Sequence, residues 1–155
     1  MRVLAVGAHP DDVEIACSGT LAKCVKRGDK VIVCHASTGN LGHVIIPPDE
    51  LTGIRKKESE KAGRLAGIEV IGGMFNDLDV YADNKQARDK IVEVIKYAQP
   101  DFIITHDPND YMPDHTAVSK LVFDASFTAT LPNYRIGGEK AAKLVPIYYM
   151  DTLAG

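Results

Sequence analysis

The chain contains few cysteines, and none is placed to hold a small secreted fold together. Its 155 residues include three, Cys17, Cys24 and Cys34, with no CxxC pair among them. An odd number of cysteines in a chain of this size is explained more simply by reduced thiols than by a disulfide framework. We therefore expect a cytoplasmic protein.

Long apolar segments and strongly basic segments are also missing. No apolar stretch approaches the roughly 20 residues that a membrane-spanning helix needs. The apolar run at the N-terminus is short and ends in acidic residues, unlike a secretory signal. The formal net charge is −3 and no dense run of Lys or Arg occurs, so nucleic-acid binding has no electrostatic support. We expect neither a membrane nor a nucleic acid as a partner.

Apolar β-rich runs alternate with helix-period segments along a chain whose length suits one domain, residues 1–155. Runs such as VIVC and FIIT are apolar throughout, as in strands buried on both faces of a parallel sheet. The alternation predicts an α/β fold: a Rossmann-like, doubly wound, mostly parallel sheet with helices on both faces. The predicted strands are Arg2–Gly7, Lys30–His35, Glu69–Gly72, Asp101–Thr105 and Leu144–Met150, the last at an edge because it contains Pro146.

Helix-period segments lie between these strands and carry start and stop signals. Gly28 and Gly67 suit positions just after a helix, and Pro100 stops a third one. Residues 127–143 contain proline and a Gly-Gly pair and are predicted to form a long surface loop. The predicted helices are Gly19–Lys26, Pro48–Leu65, Asn84–Ala98 and Asp114–Ala125.

A cluster of acids follows the first predicted strand, in GAHPDDVEI at 7–15. His9, Asp11, Asp12 and Glu14 fall within six positions, and like charges this close require something positive among them. A divalent cation is the most economical compensation, and a histidine with a carboxylate is a usual partial ligand set for zinc. One aspartate could instead cap the following helix. The acids also replace the glycine-rich turn of a dinucleotide-binding domain and would repel a pyrophosphate.

A second polar loop, HDPNDYMPDHTAVS, follows the FIIT strand. In a doubly wound sheet, ligands bind beyond the carboxyl ends of the strands at the switch point. This loop and the first cluster should therefore face each other, with His115 completing a His-Asp-His metal site with open positions. We expect Asp114 to cap a helix, although it could hydrogen-bond a site residue, and Asp107 to form a turn. His106 suits a buried core position and a site position equally well.

Weaker signals come from the rest of the chain. Glu58 falls on the apolar stripe of its predicted helix and is close enough to Arg55 to pair with it, as a buried brace near the site or as a plain surface charge. The loop at 37–43 lies at the same edge of the sheet as the metal site, which makes His43 a candidate by position alone. Cys17 is better explained as a small core residue than as a ligand.

These motifs resemble the PIG-L/LmbE family of metal-dependent deacetylases. The resemblance spans most of the chain in the expected order and implies a Rossmann-like fold and the removal of acyl groups from amino sugars and sugar conjugates. By this resemblance, His9, Asp12 and His115 bind the metal and Asp11 is the general base. The motifs are AHPDD at 8–12, the glycine-threonine pair of CSGT at 17–20, TGN at 38–40, the Arg55 and Glu58 pair, and PDH at 113–115.

The chain departs from that family in two respects. Many members have a histidine that stabilises the oxyanion where this chain has Met112, which cannot donate a hydrogen bond. Tyr111, His106 or His43 could replace it, so Tyr111 joins Asp11 and Asp114 as a candidate catalytic residue. The family is also usually longer, and a C-terminal part that helps shape the substrate pocket is expected to be absent or not included here.

The resemblance implies a zinc-dependent hydrolase of small N-acyl sugars that releases acetate, with iron(II) as an alternative ion because it accepts similar ligands. Two alternatives stay open: a two-metal phosphoesterase whose second ion uses Asp107 or Asp110, and a non-catalytic protein of the same fold that binds metal or sugar. Oligomeric state also stays open, and an uncovered sheet edge would favour a homo-oligomer.

Overall fold

One parallel sheet organises the chain. The computed structural model describes residues 1–151, so the last four residues of the expected domain lie outside the described part. The five strands lie in the order β3-β2-β1-β4-β5, and every pairing is parallel. The elements are β1 Arg2–Gly7, α1 Asp12–Lys26, β2 Lys30–Ser37, α2 Pro48–Ala66, β3 Glu69–Phe75, α3 Lys85–Ala98, β4 Phe102–His106, α4 Pro113–Thr128 and β5 Ile147–Met150. The predicted α/β fold is confirmed.

The central strand, β1, is buried on both faces, which explains its continuous apolar sequence. Val3 and Ala5 pack into a cluster with residues of α1, while Leu4 and Val6 pack into a larger cluster with residues of α3 and α4. The chain runs from β1 to β2 and β3 on one side and then returns to β4 on the other side of β1. The carboxyl ends of β1 and β4 therefore form the switch point of the sheet.

The largest difference from the predicted elements is the start of α1. The helix begins at Asp12, seven residues before the predicted start at Gly19. Asp12 and Glu14 lie in its first turn, where the positive end of the helix dipole favours acidic side chains. The same acids that indicate a ligand site also belong to a helix, and this places Asp12 on a rigid element.

The other element ends follow the predicted signals closely. The side chain of Asn84 caps α3 by accepting hydrogen bonds from two backbone N–H groups, and Gly67 ends α2 with φ of 69°. Strand β5 lies at the sheet edge as predicted but begins only at Ile147. Pro146 precedes it. Proline has no N–H to donate, but the carbonyl oxygen of Pro146 accepts the N–H of Ile103. No helix within residues 1–151 is long and apolar enough to cross a bilayer.

Strands β2 and β3 approach each other closely where the ladder register shifts, between His35 and Ser37. Gly72 has φ of 131° at this point, and a Cβ atom there would lie 1.9 Å from the carbonyl oxygen of His35. Only glycine fits this backbone without moving one of the strands.

We predict that Gly72→Ala lowers the free energy of unfolding by on the order of 2–4 kcal/mol, because the added carbon forces the strands apart and strains φ. Urea denaturation measures the change. Gly19→Ala is the matched control: its Cβ would meet nothing within 4 Å on α1, so it should stabilise the protein by about 1 kcal/mol. An unchanged urea midpoint for Gly72→Ala would contradict the close approach of the two strands.

Candidate metal centre

The two polar loops meet at the carboxyl ends of β1 and β4, as the sequence predicts. The strands pair in parallel with Val6 opposite Thr105, so the residues that follow each strand lie side by side. Between them is a cavity of about 470 Å³ with a floor of histidines and carboxylates and a rim that includes apolar side chains. Its floor includes His9, Asp11, Asp12, Asp77, His106, Asp110 and His115.

The Asp12 carboxylate lies among three histidines that come from distant parts of the chain. Its Oδ1 is 3.3 Å from Nε2 of His115, and its Oδ2 is 3.5 Å from Nδ1 of His9 and 3.2 Å from Nε2 of His106. One ligand atom each from His9, Asp12 and His115 can be chosen so that all lie within 4.8 Å of one another. The three residues predicted to bind a metal are therefore brought together by the fold.

Each histidine is held from its far side by a second carboxylate. Nε2 of His9 is 2.9 Å from Oδ2 of Asp114, and Nδ1 of His115 is 3.0 Å from Oδ2 of Asp110. A carboxylate at the far nitrogen fixes the proton there and directs the lone pair of the other nitrogen toward a metal. Asp110 and Asp114 thus orient the two rings toward Asp12.

The arrangement fits a divalent cation. Nε2 of His115 is buried and has no hydrogen-bond partner within residues 1–151, although it faces Asp12. A buried polar atom without a partner is costly, and a cation between this nitrogen, Asp12 and His9 would satisfy it. Two histidines and one carboxylate leave coordination positions open, as in catalytic rather than structural sites.

Charge within the cluster shifts the pKa values of its members. Burial lowers the pKa of His9, but hydrogen bonds and charge from Asp12 and Asp114 outweigh it and raise the pKa to about 9. Burial likewise lowers the pKa of His115, and Asp12 and Asp110 outweigh it, for a net rise. Burial raises the pKa of Asp12, but His106, His115 and His9 hold it well below its usual range. Without a metal, a proton on His9 offsets part of the charge of the carboxylates.

Asp11 lies beside this cluster and contacts Arg55. Its Oδ2 accepts a hydrogen bond of 3.2 Å from a terminal nitrogen of Arg55. Burial raises the pKa of Asp11, against the lowering effects of Arg55 and His9. Asp11 occupies the N-cap position of α1 but makes no side-chain capping bond. The capping interpretation of the first acid cluster is therefore wrong for Asp11, whose carboxylate faces the cavity.

The prediction that Asp114 caps a helix is also wrong. Met112 occupies the N-cap position of α4, and Pro113 is the first helical residue. The side chain of Asp114 instead accepts the backbone N–H of Leu78 at 2.8 Å while it contacts His9. The alternative expectation, that Asp114 hydrogen-bonds a site residue, is confirmed.

His106 satisfies both of its predicted descriptions. It is buried, and its Nε2 accepts the backbone N–H of Ala8 at 2.9 Å, while its ring stacks on His115 with centroids 3.9 Å apart. The same nitrogen also lies 3.2 Å from Oδ2 of Asp12. Burial lowers the pKa of His106 and outweighs the raising effect of Asp12. His106 lines the cavity as a support for His115.

The remaining candidates divide between the cavity and the rest of the surface. Tyr111 is exposed and lines the cavity, with its ring centroid 6.1 Å from that of His115. His43 lies outside the cavity lining, and its Nδ1 accepts the N–H groups of Ile45 and Ile46 in its own loop. Asp107 accepts hydrogen bonds from Asn109 in a local turn, as predicted. In this structure His43 therefore faces its own loop, not the cavity.

Two other acids singled out in the sequence, Glu14 and Glu58, point elsewhere. Glu14 pairs with His35 at 3.1 Å, away from the three predicted ligands. Burial raises the pKa of Glu14, but His35 outweighs it and lowers the pKa. The side chain of Glu58 is 61% exposed, so the interpretation as a buried brace is wrong and the alternative of a surface charge holds, with a 3.6 Å pair to Arg55. An exposed pair of this kind contributes little to stability.

Sequence analysis missed Asp77, a buried residue in the turn after β3. Its Oδ1 accepts the hydroxyl of Ser37 and the N–H of Gly39, and its Oδ2 accepts the N–H of Leu41, each at 2.8 Å. Asp77 therefore fixes the loop after β2 against the cavity. Its position just beyond the carboxyl end of a strand is the signal that could have found it.

The fold and the site define an α/β protein with a candidate His-Asp-His metal centre at the switch point of its sheet. The family model described as GlcNAc-PI de-N-acetylase matches residues 4–126. The chain belongs to this PIG-L family, which confirms the resemblance in the motifs.

Individual proteins support the same assignment. The chain is 29% identical over 158 residues to a 1D-myo-inositol 2-acetamido-2-deoxy-alpha-D-glucopyranoside deacetylase from Corynebacterium diphtheriae, an alignment that covers 84% of this chain and 54% of that protein. The chain thus spans about half the length of this curated relative. The solved structure of N,N'-diacetylchitobiose deacetylase from Pyrococcus horikoshii superposes with a TM-score of 0.84 at 25% identity, over 97% of this chain and 60% of that one.

A third similarity concerns the fold alone. The 4-carboxy-2-hydroxymuconate hydratase from Pseudomonas putida superposes with a TM-score of 0.82 at 23% identity, over 96% of this chain and 65% of that one. A fold shared with a hydratase does not by itself determine the reaction.

We predict that the stability of the metal-free protein falls as pH rises from about 7 through 9. The pKa of His9 is raised from an ordinary 6.5 to about 9, so its stabilising contribution is complete below pH 6.5 and is lost as the folded protein releases the proton. Urea unfolding of chelator-treated protein at pH 6.5, 8 and 9.5 measures this. His9→Gln should flatten the dependence, whereas His43→Gln should preserve it. If stability fell as steeply with pH in His9→Gln as in the wild type, the fall could not be assigned to the proton on His9.

We also predict that Asp110→Asn weakens metal affinity about 10- to 100-fold, because the amide orients the His115 ring less strongly than the carboxylate does. Competition with a chromophoric chelator measures the dissociation constant. Asp107→Asn, in the same loop but in a local turn, is the matched control and should bind metal as the wild type does. Equal metal affinities in the wild type, Asp110→Asn and Asp107→Asn would show that Asp110 does not support the site.

Proposed function

We propose that the chain is a divalent-metal-dependent hydrolase that removes the acyl group from N-acyl amino sugars or sugar conjugates. The observation that carries this proposal is the convergence of Asp12 with the free nitrogens of His9 and His115, each of which has a carboxylate behind it. The family and the reaction named for the Corynebacterium diphtheriae relative supply the reaction class.

His9, Asp12 and His115 would hold the ion, with zinc the expected metal and iron(II) the alternative. When bound, the ion would polarise the amide carbonyl and lower the pKa of a water molecule. The chain itself provides a cavity in which three ligand atoms already face one point. This preorganisation limits the rearrangement that binding requires.

Asp11 is the proposed general base. In the chain it comes immediately after the stiff His9-Pro10 turn. Its Oδ2 accepts the hydrogen bond from Arg55, which leaves Oδ1 to take the proton of the attacking water. Burial raises the pKa of Asp11, and a higher pKa makes a carboxylate a better proton acceptor near neutral pH. The same oxygen would then return the proton to the departing amine.

Tyr111 is the proposed replacement for the family's oxyanion-stabilising histidine. Met112 lines the cavity, but its side chain has no hydrogen-bond donor. Nε2 of His106 already accepts the N–H of Ala8, and His43 faces its own loop. Tyr111 has a hydroxyl group and lies exposed at the cavity rim within 6.1 Å of the His115 ring, so a substrate could meet it there.

We predict that Asp11→Asn retains the metal but lowers turnover about 10²- to 10⁴-fold, because the amide cannot accept the water proton. The protein is purified without added metal, its metal content is analysed, and acetate release from N-acetylglucosamine derivatives is measured.

Asp49→Asn, an exposed acid on α2, is the control and should hydrolyse substrate at the wild-type rate. Normal turnover by Asp11→Asn would remove Asp11 from the mechanism. Tight metal binding by the wild type without acetate release from any derivative would favour the non-catalytic alternative, and two ions per chain would favour the phosphoesterase.

A further inference from the structure

Large apolar side chains line the mouth of the cavity. Four large apolar lining residues are exposed: Ile15 at 59%, Leu41 at 50%, Leu78 at 61% and Tyr111 at 58%. Single exposed apolar residues are ordinary on a protein surface. A group of four at the mouth of one candidate site is less ordinary and indicates a surface that a ligand covers.

Leu78 is held at this mouth by an unusual backbone conformation. Its φ is 61°, in the left-handed region that a bulky side chain rarely occupies. Such strain persists only where the surroundings enforce it, and it concentrates at functional sites. Here the surroundings include Asp114, whose carboxylate accepts the N–H of Leu78 at 2.8 Å. The turn thus holds the Leu78 side chain at the mouth, and the backbone N–H of Leu78 supports Asp114, the carboxylate that contacts His9.

Leu41 is held in a comparable way on the neighbouring loop, which follows β2. Its N–H donates to Oδ2 of Asp77 at 2.8 Å, and the same carboxylate fixes Gly39 and Ser37. Gly39 packs closely against Pro10 and Arg55, so the loop has little room to move toward them. Both leucines are therefore exposed side chains on backbone that buried carboxylates fix in place.

We propose that Leu41 and Leu78 form an apolar clamp that selects sugar conjugates with an apolar group next to the amino sugar. This inference rests on the proposed deacylase function. The histidines and carboxylates would receive the N-acyl group of the sugar, and the group attached to the sugar would then leave the cavity past the two leucines. An aromatic ring or a longer alkyl chain there buries apolar surface that water otherwise covers, whereas a methyl group buries little and a polar group none.

The test compares two substrates that differ only in that attached group. Acetate release by the metal-loaded protein is measured with 4-nitrophenyl and with methyl N-acetyl-β-D-glucosaminide. The wild type should prefer the aryl glycoside in kcat/KM. In Leu41→Ala/Leu78→Asn the ratio of the two kcat/KM values should fall about tenfold, since contacts of this size decide selectivities of that order.

The variants are chosen so that damage to the fold can be recognised. Asparagine tolerates the left-handed conformation better than leucine does, so Leu78→Asn should melt at or above the wild-type temperature. Leu65→Asn changes a still more exposed leucine on α2 that does not line the cavity. This control should keep the wild-type ratio.

Three results would overturn the clamp. The first is a wild type with no preference for the aryl glycoside. The second is a double variant that loses kcat/KM equally on both glycosides. The third is an unchanged ratio of the two kcat/KM values together with loss of a dimer in sedimentation, which would assign the leucines to an interface between two copies. If neither glycoside is hydrolysed, the proposed function fails, and calorimetry with 4-nitrophenyl and methyl β-D-glucosaminide tests the clamp separately. A binding preference for the aryl ligand that the double variant loses would support it, and equal binding would refute it.

Discussion

The Asp12 carboxylate and the positive charge it requires explain most of the chemistry at this end of the sheet. Its two oxygens lie within 3.5 Å of ring nitrogens of His9, His106 and His115. Asp110 and Asp114 are buried behind those rings. This concentration of acid is tolerable only if protons or a cation neutralise it. In the metal-free protein, the carboxylates raise the pKa of His9 to about 9, so that its proton supplies positive charge. In the metal-loaded protein, the proposed cation would supply that charge instead.

Buried carboxylates also join the loops around the cavity to one another. Asp77 accepts three hydrogen bonds from residues 37–41, and Asp114 accepts the N–H of Leu78, the residue next to Asp77. The turn after β3 thus connects the loop after β2 to the partner of His9. Charge-assisted hydrogen bonds of this kind are stronger than neutral ones. They explain how a site assembled from loops can be as well defined as one built on strands.

Family membership and reaction are separate matters for a fold of this kind. The chain superposes on a deacetylase from Pyrococcus horikoshii and nearly as well on a hydratase from Pseudomonas putida. The parallel sheet supplies the place for a site, and the side chains at its edge determine the chemistry. Here those side chains are the AHPDD turn, the PDH helix start and the carboxylates behind them, which support the proposed amide hydrolysis.

The sequence by itself determined the α/β class, most strand and helix positions, and the convergence of His9, Asp12 and His115. Apolar runs and their spacing report burial, and the switch point follows from strand order. Only the tertiary structure decided the partners of these residues. Asp114 contacts His9 instead of capping α4, Glu58 faces solvent, and Asp77 anchors a distant loop. The direction of a polar side chain depends on which amides and rings lie near it in space, and contacts between residues 36 to 105 positions apart leave no periodic signal in a single sequence.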